Sequence, residues 1–411
     1  MSSWNDVPFS DLLVESRDGE WGKGEAEVGY TEAVVIRGTD FSGVNDPSQR
    51  LPHRWIKDHL VERKKLRPGD IVFEMAGGTS TQSTGRSALL KPGFFERNSP
   101  LPAVCASFSR HLRLDLSRFS PEFVYYLLQS LHRSGYMGVF HIQHTGVARF
   151  QYSSFKRHTN LNIPDLSTQR KISAILSAYD DLIEVNKRRI TLLEKMAEEL
   201  YREWFVRMRF PGYQNTHFVK GLPAEWDTKR IRDVVDRRKF GRIYRSTELA
   251  DEGSVIVIDQ SRSDYLGFCD GKAEHEASPD RPILLFGDHS CKMVFMTRPF
   301  SLAENVIPFT PKSDMPAYFL FHLIKDLAKT TEYKRHWTDL VNREVLIPQN
   351  DIQLKFSGLV KDNHVVRDEL VKVNRVLTKT RDLLLPRLIS GKLSVEDLDI
   401  QFPPSMREDA A

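Results

Sequence analysis

The chain has 411 residues, of which 40% are hydrophobic, so it can bury more than one core, and we expect two globular regions with connectors. Its formal net charge of +4 permits a nucleic-acid partner without demanding one. The cysteines Cys105, Cys269 and Cys291 are far apart and lack metal-ligand spacing, which argues against a disulfide framework and a zinc site. There is neither a signal-like N-terminal stretch nor a run of about 18 apolar residues, so we expect a cytoplasmic protein without a membrane partner.

The first region, residues 1–160, mixes short apolar runs with turn-rich segments. The runs at 33–36, 70–73 and 103–108 have the length of buried strands, and the segments between them are rich in Gly, Ser, Thr and Pro. One helix is predicted over 120–131, because a Ser cap is followed by Pro at the first turn and then by Glu. Strands and helices together predict an α+β class.

A long helix is predicted over 168–208, where neither Gly nor Pro occurs and apolar residues recur every three or four positions. Ser167 or Thr168 is expected to cap it. At about 1.5 Å per residue the helix would be roughly 60 Å long, more than one globular core needs, so segment 161–212 is interpreted as a spacer. Its apolar seam, with one extra-residue slip near Asn186, comprises Ile172, Ile175, Tyr179, Leu182, Asn186, Ile190 and Leu193, followed by Ala197, Leu200 and Trp204.

The second globular region is predicted over 213–346. Strands are expected at 254–258, 283–286 and 293–296, and a helix at 315–328. The distal segment, 347–411, opens with a second long helix over 349–385, which Pro386 is expected to stop. Its seam comprises Phe356, Leu359, Asn363, Val366, Leu370, Val373 and Leu377, followed by Thr380 and Leu384.

The two halves of the chain are a tandem repeat. The pattern around Trp4 (WNDVPFSDLL) recurs 222 positions later around Trp226 (WDTKRIRDVV). The segment IPDLSTQRKISAIL, which begins at Ile163, matches IPQNDIQLKFSGLV, which begins 184 positions later at Ile347. Each half is therefore predicted to be a globular α+β region followed by a long helix.

Two helices of matched length, each with one apolar stripe, can bury those stripes by packing together, and the region between them allows an antiparallel arrangement. The predicted architecture is two globular regions separated by two long antiparallel helices that form a coiled coil. Asn186 and Asn363 lie on the two seams, where each could fix the register by pairing or could sit at a wet edge. Both interpretations stay open.

The motifs of the obvious DNA-modifying activities are missing from the sequence. There is no acidic-aromatic tetrapeptide with a Gly-rich cofactor loop, as base methylation would require. Gly77 and Gly78 lack the spacing and the Lys of a phosphate-binding loop, and Asp270-Gly271-Lys272 has no partner carboxylate suited to a nuclease. We therefore predict no catalytic residue, no metal site and no bound cofactor in this chain.

Loops rich in side chains that read bases or hold phosphates are the remaining candidates for a site. In the segment RRKFGRIYR, five positive charges within nine residues alternate with aromatics, which is a frequent nucleic-acid pattern. Each of the other clusters, taken singly, is more often a solvated surface. The candidate DNA-binding residues are Ser80, Thr81, Gln82, Arg86, His141, Gln143, His144 and Arg149 in the first half, and Arg238, Lys239, Arg242, Tyr244, Arg245, Lys292, Lys334 and Arg335 in the second.

The sequence resembles the DNA-specificity subunits of Type I restriction-modification enzymes. The resemblance rests on IPDLSTQRKISAILSAYDDLIEVNKRRITLLEKMAEELYREWFV, on TRDLLLPRLISGKLSV and on the repeated starts at Trp4 and Trp226, and it covers essentially the whole chain. It implies that each globular region is a target recognition domain for one half of a split double-stranded DNA sequence, and that the helices separate the halves and dock methyltransferase subunits. It also implies that catalysis, with S-adenosylmethionine, ATP and Mg²⁺, belongs to partner subunits.

The resemblance is weaker in the second helix, so the subunit contacts there are less defined, and base-contacting residues cannot be transferred because recognition domains differ between members. Two methyltransferase subunits are the expected partners, and restriction subunits are a further partner that the sequence leaves open. The alternative from another class is an assembly protein whose paired helices and globular regions bind only proteins. The salt dependence of DNA binding distinguishes the two.

Lengthening both long helices by one turn tests whether they act as a ruler. One turn adds about 5.4 Å, so the gap between the two recognised sequences should change by one or two base pairs of about 3.4 Å each. The recognised motif of the altered protein provides the measurement. An unchanged gap would show that the helices do not set the spacing.

Overall fold

The computed structural model describes residues 4–46, 48–77, 82–143, 148–261, 263–329, 334–403 and 406. It divides into two compact units. The first unit comprises Met1–Val185 and Asn374–Ala411, and the second comprises Asn186–Val373. Two long helices, α5 (Leu166–Tyr201) and α9 (Asn350–Ile389), each contribute one half to each unit. The boundaries of the two compact units therefore differ from those of the four segments predicted from the sequence. Within the described ranges, no helix combines the length and the apolar character needed to cross a membrane.

The first unit is α+β, as its sequence predicts. Its strands are β1 (Asn5–Pro8), β2 (Leu13–Asp18), β3 (Tyr30–Ile36), β4 (His53–Lys57), β5 (Ile71–Glu74), β6 (Ser87–Leu89), β7 (Ala103–Cys105), β8 (Ser109–Leu114), β9 (His141–Ile142), β10 (Arg149–Phe150) and β11 (Asn160–Ile163). Its shorter helices are α1 (Asp58–Lys64), α2 (Pro92–Asn98), α3 (Pro121–Arg133) and α4 (Tyr152–His158).

Two sheets organise this unit. A four-stranded antiparallel sheet has the order β2-β8-β5-β6, and a three-stranded sheet has the order β4-β3-β7, in which β3 and β7 are parallel. β1 pairs with β11, which ties the start of the chain to the strand before α5. The largest core cluster combines the four-stranded sheet, α3 and α4 with one end of each long helix, and Phe9, Phe73 and Phe155 lie at its centre with negligible exposure.

The second unit contains a similar set of elements. Its strands are β12 (Phe218–Val219), β13 (Leu222–Pro223), β14 (Asp227–Arg230), β15 (Val235–Arg237), β16 (Ile243–Tyr244), β17 (Val255–Ile258), β18 (Gly267–Cys269), β19 (Ile283–Gly287), β20 (Met293–Met296), β21 (Phe300–Ala303), β22 (Val306–Pro311) and β23 (Glu344–Ile347). Its shorter helices are α6 (Ile231–Val234), α7 (Ala317–Ile324) and α8 (Trp337–Val341).

The sheets of the second unit repeat the strand order of the first, with β16 added at the edge of the smaller sheet, and this confirms the tandem repeat. The order β15-β22-β19-β20 matches β2-β8-β5-β6, and the parallel pair β17 and β21 matches β3 and β7. The closing pairs have the same register, because Asn5 faces Ile163 in one unit and Asp227 faces Ile347 in the other. These are the positions 222 and 184 apart in the two sequence alignments.

The ends of the long helices differ from prediction in two details. Asp165 caps α5 rather than Ser167 or Thr168, since its carboxylate accepts the backbone N–H of Thr168 at 3.0 Å, and this hydrogen bond lowers the pKa of Asp165. Pro386 does not stop α9, which continues to Ile389. Proline costs one backbone hydrogen bond there, but Leu388 and Ile389 are buried in the core of the first unit, and this burial favours the extra turn.

In the first unit, the halves of α5 and α9 pack antiparallel, with polar contacts between them. Asp180 pairs with Arg381, and further along α5 the carbonyl of Ile183 accepts a hydrogen bond from Asn374, which precedes Arg381 in α9. The hydroxyl of Tyr126 on α3 also donates to Asp180, at 2.6 Å. The globular region and both helices therefore meet at one half-buried carboxylate.

In the second unit, the other halves of the two helices also pack antiparallel. Glu194 pairs with Arg367 at 3.0 Å, and later in α5 the ring of Tyr201 meets the ring of Phe356, which lies earlier in α9. On α7, His322 places its Nε2 3.1 Å from Nε2 of His364 on α9, so one imidazole donates to the other.

The predicted seams are partly wrong. Leu182 on α5 and Leu359, Val366 and Val373 on α9 are exposed, with 41–57% of their surface accessible. The inner face of α9 instead carries Phe356, Val360, His364, Arg367, Asn374 and Arg381. A prediction based on apolar spacing alone could not identify the polar residues of this face. Most other seam residues are buried or half-buried, and Asn186 is buried.

Acid should destabilise the second unit through the histidine pair. Burial lowers the pKa of His322 to about 2 and that of His364 to about 4, although Asp368 opposes the shift of His364. In the unfolded chain both histidines have a pKa near about 6.5. As the pH falls below that value, only the unfolded state takes up protons on these rings, so the free energy of the unfolded state decreases relative to that of the folded state. Between pH 7 and pH 5 each histidine should remove about 2 kcal/mol from the free energy of unfolding.

Urea denaturation of the full chain at the two pH values measures this loss. The double variant His322→Leu/His364→Leu should lose correspondingly less stability on acidification than the unaltered protein. A matched control is His53→Leu, because His53 is an exposed histidine whose ring lies 3.1 Å from Glu32. Equal losses in the unaltered protein and the double variant would contradict the assignment.

Candidate nucleic-acid interface

In the first unit, the loop after β5 and the β9–β10 hairpin lie against each other. The backbone N–H of Phe150 donates to the carbonyl of Met75 at 2.8 Å, and that of Gly77 donates to the carbonyl of Ala148 at 3.2 Å. The structure thus brings together the described members of the two candidate clusters predicted in this half. Ser80, Thr81 and His144 lie outside the described residues.

The exposed candidates of this unit are Gln82, Gln143 and Arg149, and His141 is half-buried. Arg86 has a different role. It donates to both oxygens of the buried Glu74, from Nε at 3.0 Å and from Nη2 at 2.5 Å, and this hydrogen bonding raises the pKa of Arg86. Arg86 therefore holds the loop onto the sheet, a structural role that its prediction as a DNA-binding residue did not include, and DNA contact by Arg86 stays a prediction.

In the second unit, an equivalent contact joins the loop after β19 to the segment before α8. The backbone N–H of His336 donates to the carbonyl of Asp288 at 2.8 Å, and the carboxylate of Asp288 accepts the N–H of Trp337 at 2.9 Å. Arg335 also lies near this carboxylate, with its Nε 3.8 Å away. Asp288 follows the buried strand β19 directly. A polar residue at that position is a signal that the sequence analysis missed.

This contact holds the backbone next to the candidates Lys334 and Arg335. The carbonyl of Lys334 accepts a hydrogen bond from Nδ1 of His289 at 3.1 Å, which fixes the backbone, while its ammonium group lies 3.2 Å from Asp339. The side chain of Arg335 is 77% exposed. This arrangement suits one extended cation that can reach a phosphate or a guanine edge.

Lys292 is not presented in this way. Its ammonium group donates to the carbonyls of Asp259 and Ser263 and is half-buried, and burial lowers its pKa. Lys292 thus ties the segment after β17 to the segment before β20. Its prediction did not include this structural role, and DNA contact by Lys292 stays a prediction.

The basic segment RRKFGRIYR leaves the four-stranded sheet at the end where β19 also leaves it. β22 lies between β15 and β19, and the N–H of Arg238 reaches the carbonyl of Pro308 while Gly287 at the end of β19 faces Val306. Arg238, Lys239 and Arg245 are exposed. These charges therefore belong to the same end of the second unit as Arg335.

Two members of this segment pack against the protein. Tyr244 is buried with Val257 and Ala303, and a hydrogen bond between its phenol and Cys269 raises the pKa of Tyr244. Burial excludes it from direct contact with a base. Arg242 is exposed, but its guanidinium lies 2.7 Å from Glu248 and 4.5 Å from the centre of the Tyr244 ring. The segment therefore offers fewer available cations than its sequence indicates.

Comparisons with known proteins show which family this chain resembles. Residues 4–195 match the family model described as the Type I restriction modification DNA specificity domain. The chain is 28% identical to the Type I restriction enzyme MjaIX specificity subunit of Methanocaldococcus jannaschii over 313 residues, which cover 67% of this chain and 70% of that protein. It is 36% identical to the Type I restriction enzyme HindI specificity subunit of Haemophilus influenzae over 88 residues, 21% of this chain and 19% of that one.

A solved structure shares the fold. The S subunit of a Type I restriction-modification system from M. genitalium superposes with a TM-score of 0.58 at 16% identity, and the match covers 94% of this chain and 96% of that chain. The family model and the named relatives, rather than the shared fold, confirm the family that the sequence resembles. Residues 4–195 of this chain belong to the Type I restriction modification DNA specificity domains.

Proposed function

We propose that this chain is the non-catalytic subunit that reads a bipartite double-stranded DNA target, with one globular unit for each half-site. The observation that carries the proposal is the repeated frame. In both units the four-stranded sheet has the same strand order. The loop after its strand β5 or β19 is hydrogen-bonded to the segment before a small helix, α4 or α8. A frame of this kind holds exposed polar loops at a fixed place while their side chains differ.

The loop chemistry differs between the units, which supports two different half-sites. In the first unit the exposed amides of Gln82 and Gln143 and the half-buried ring of His141 suit hydrogen bonding to base edges, and Arg149 is the exposed cation among the candidates. The second unit carries exposed cations at Arg238, Lys239, Arg245, Lys334 and Arg335. Cations neutralise phosphates and pair with guanine, so the second unit should supply most of the salt-dependent affinity.

Exposed apolar residues on the helices support the docking of two methyltransferase subunits. In the first unit they are Leu182 and Val185 on α5 and Val376 and Leu383 on α9. In the second unit they are Leu192 and Met196 on α5 and Leu354, Leu359, Val366 and Val373 on α9. Apolar surface of this extent on otherwise charged helices is typical of a protein interface.

The chemistry of the complex would belong to the partners. The methyltransferase subunits would bind S-adenosylmethionine, and restriction subunits, where present, would use ATP and Mg²⁺. The alternative, an assembly protein that binds only proteins, is less favoured by the family match.

Removing two loop cations should weaken DNA binding by the full complex and make it less sensitive to salt. For Lys334→Ala/Arg335→Ala, the slope of log binding constant against log salt concentration should decrease by about 1 for each phosphate that the loop no longer neutralises. Fluorescence anisotropy with target DNA between low and moderate salt measures the slope.

The double variant Lys355→Ala/Lys361→Ala is a matched control, since it removes the same charge from α9, where these lysines pair with Asp351 and Asp280. Its slope should stay close to that of the unaltered protein. An equal change in both double variants would refute the assignment of phosphate contacts to the loop. DNA binding insensitive to salt in the unaltered complex would refute the proposed function.

A further inference from the structure

The two ring nitrogens of His141 have fixed and different roles. Nδ1 accepts the backbone N–H of Thr84 at 3.1 Å and lies 3.2 Å from the hydroxyl of the same residue. A backbone amide can only donate, so Nδ1 must carry a lone pair, and the proton of the neutral ring is on Nε2. His141 therefore offers an N–H donor at Nε2.

The partner of this hydrogen bond is held firmly. Thr84 is fully buried, and next to it the carbonyl of Ser83 lies 3.1 Å from Nε2 of His132. Gly85 has a φ of +95°, and a Cβ atom there would lie 3.0 Å from a ring carbon of Phe150. Only glycine suits this backbone conformation and close approach. The amide of Thr84 thus has little freedom to move away from His141.

The backbone of His141 is held from the other side. In the β9–β10 hairpin it faces Phe150, whose N–H is bound to the carbonyl of Met75. The ring is half-buried. Both the position of the imidazole and its tautomer are therefore set before a ligand arrives, and such preorganisation favours discrimination between ligands.

We infer that His141 determines specificity in the first half-site by donating from Nε2 to an acceptor on a base edge. This inference rests on the proposed function. In the major groove guanine presents only acceptors, N7 and O6, whereas cytosine presents the N4 amino donor. A fixed donor thus suits guanine best, because neither of its edge groups is a donor; it can also pair with N7 of adenine or O4 of thymine, and it disfavours cytosine.

A base edge is favoured over a phosphate by the chemistry of the site. A phosphate oxygen accepts from any donor, so a fixed tautomer adds nothing to that contact. The exposed neighbours in this hairpin include the neutral amide of Gln143 and also Arg149, opposite Ile142, which is the cation available for a phosphate. The buried amide of Thr84 restricts His141 to one tautomer. Such a restriction is useful where the protein must distinguish a donor from an acceptor on the ligand.

Three substitutions of His141 test the inference in the full chain assembled with its methyltransferase subunits. His141→Gln keeps an N–H donor, His141→Leu removes it without adding charge, and His141→Glu replaces it by an acceptor. The readout is the genome-wide map of methylated sites. A change of one base contact should alter the preference at that position by about tenfold or more.

His141→Gln should retain guanine at one position of the first half-site, His141→Leu should relax that position, and His141→Glu should shift it toward cytosine or adenine. The second half-site should stay unchanged in all three, which shows that the complex is intact. His53→Glu, at an exposed histidine of the same unit, should leave the whole motif unchanged.

Weaker methylation with an unaltered motif in the Leu and Glu variants would mean a phosphate contact and would overturn the inference. So would a motif unchanged in both sequence and extent of methylation. Absence of any bipartite motif with the unaltered chain would instead refute the proposed function itself, so the two failures are distinguishable.

Discussion

One backbone hydrogen bond, made once in each unit, positions the candidate interface. It joins Met75 to Phe150 in the first unit and Asp288 to His336 in the second, at 2.8 Å in both. In each case the acceptor is the first residue after a buried central strand, and a small helix begins one or two residues after the donor. The loops on either side can then change in sequence without loss of the frame, because the bond uses only main-chain atoms. The main-chain bond thus holds the loops in the same way in both units, while the loop side chains, which differ between the units, are left to read DNA.

The polar inner face of the long helices is a second feature of the repeat. Its positions are equivalent in the two units, but the side chains at those positions differ. Asp180 and His364 are 184 positions apart and so are equivalent, as are Arg381 and Ala197. The first unit uses an ion pair with the hydroxyl of Tyr126, whereas the second uses a pair of neutral histidines. A buried polar group needs a partner at a defined position, so each solution fixes the packing of a globular region on its helices more strictly than apolar contacts would.

Much of the fold could be predicted from the sequence because its periodicity is strong. The two long helices, α3 with its Ser120 cap, the strands β3, β5, β17, β19 and β20, and the tandem repeat are all confirmed. The seam of α9 was only partly predictable, since Arg367 and Arg381 face inward with carboxylate partners that lie far away in sequence. The turn after Pro386 was missed because the burial of Leu388 depends on tertiary contacts.

The candidate site was less predictable than the fold. A cation in a loop can bind a phosphate or a buried carboxylate, and sequence does not distinguish the Arg86–Glu74 pair from the exposed Arg335. The same holds for Tyr244, whose burial depends on Val257 and Ala303. The adjacency of the two loop clusters in each unit is a property of strand order, which no single motif reveals.

The central claim is that two units of one chain read two separate sequences. Mapping the methylated sites in cells that carry this chain with its methyltransferase partners tests it most directly. The account predicts one motif made of two short specified sequences separated by a constant number of unread base pairs. A single contiguous motif, or two specified sequences with a variable gap, would contradict it.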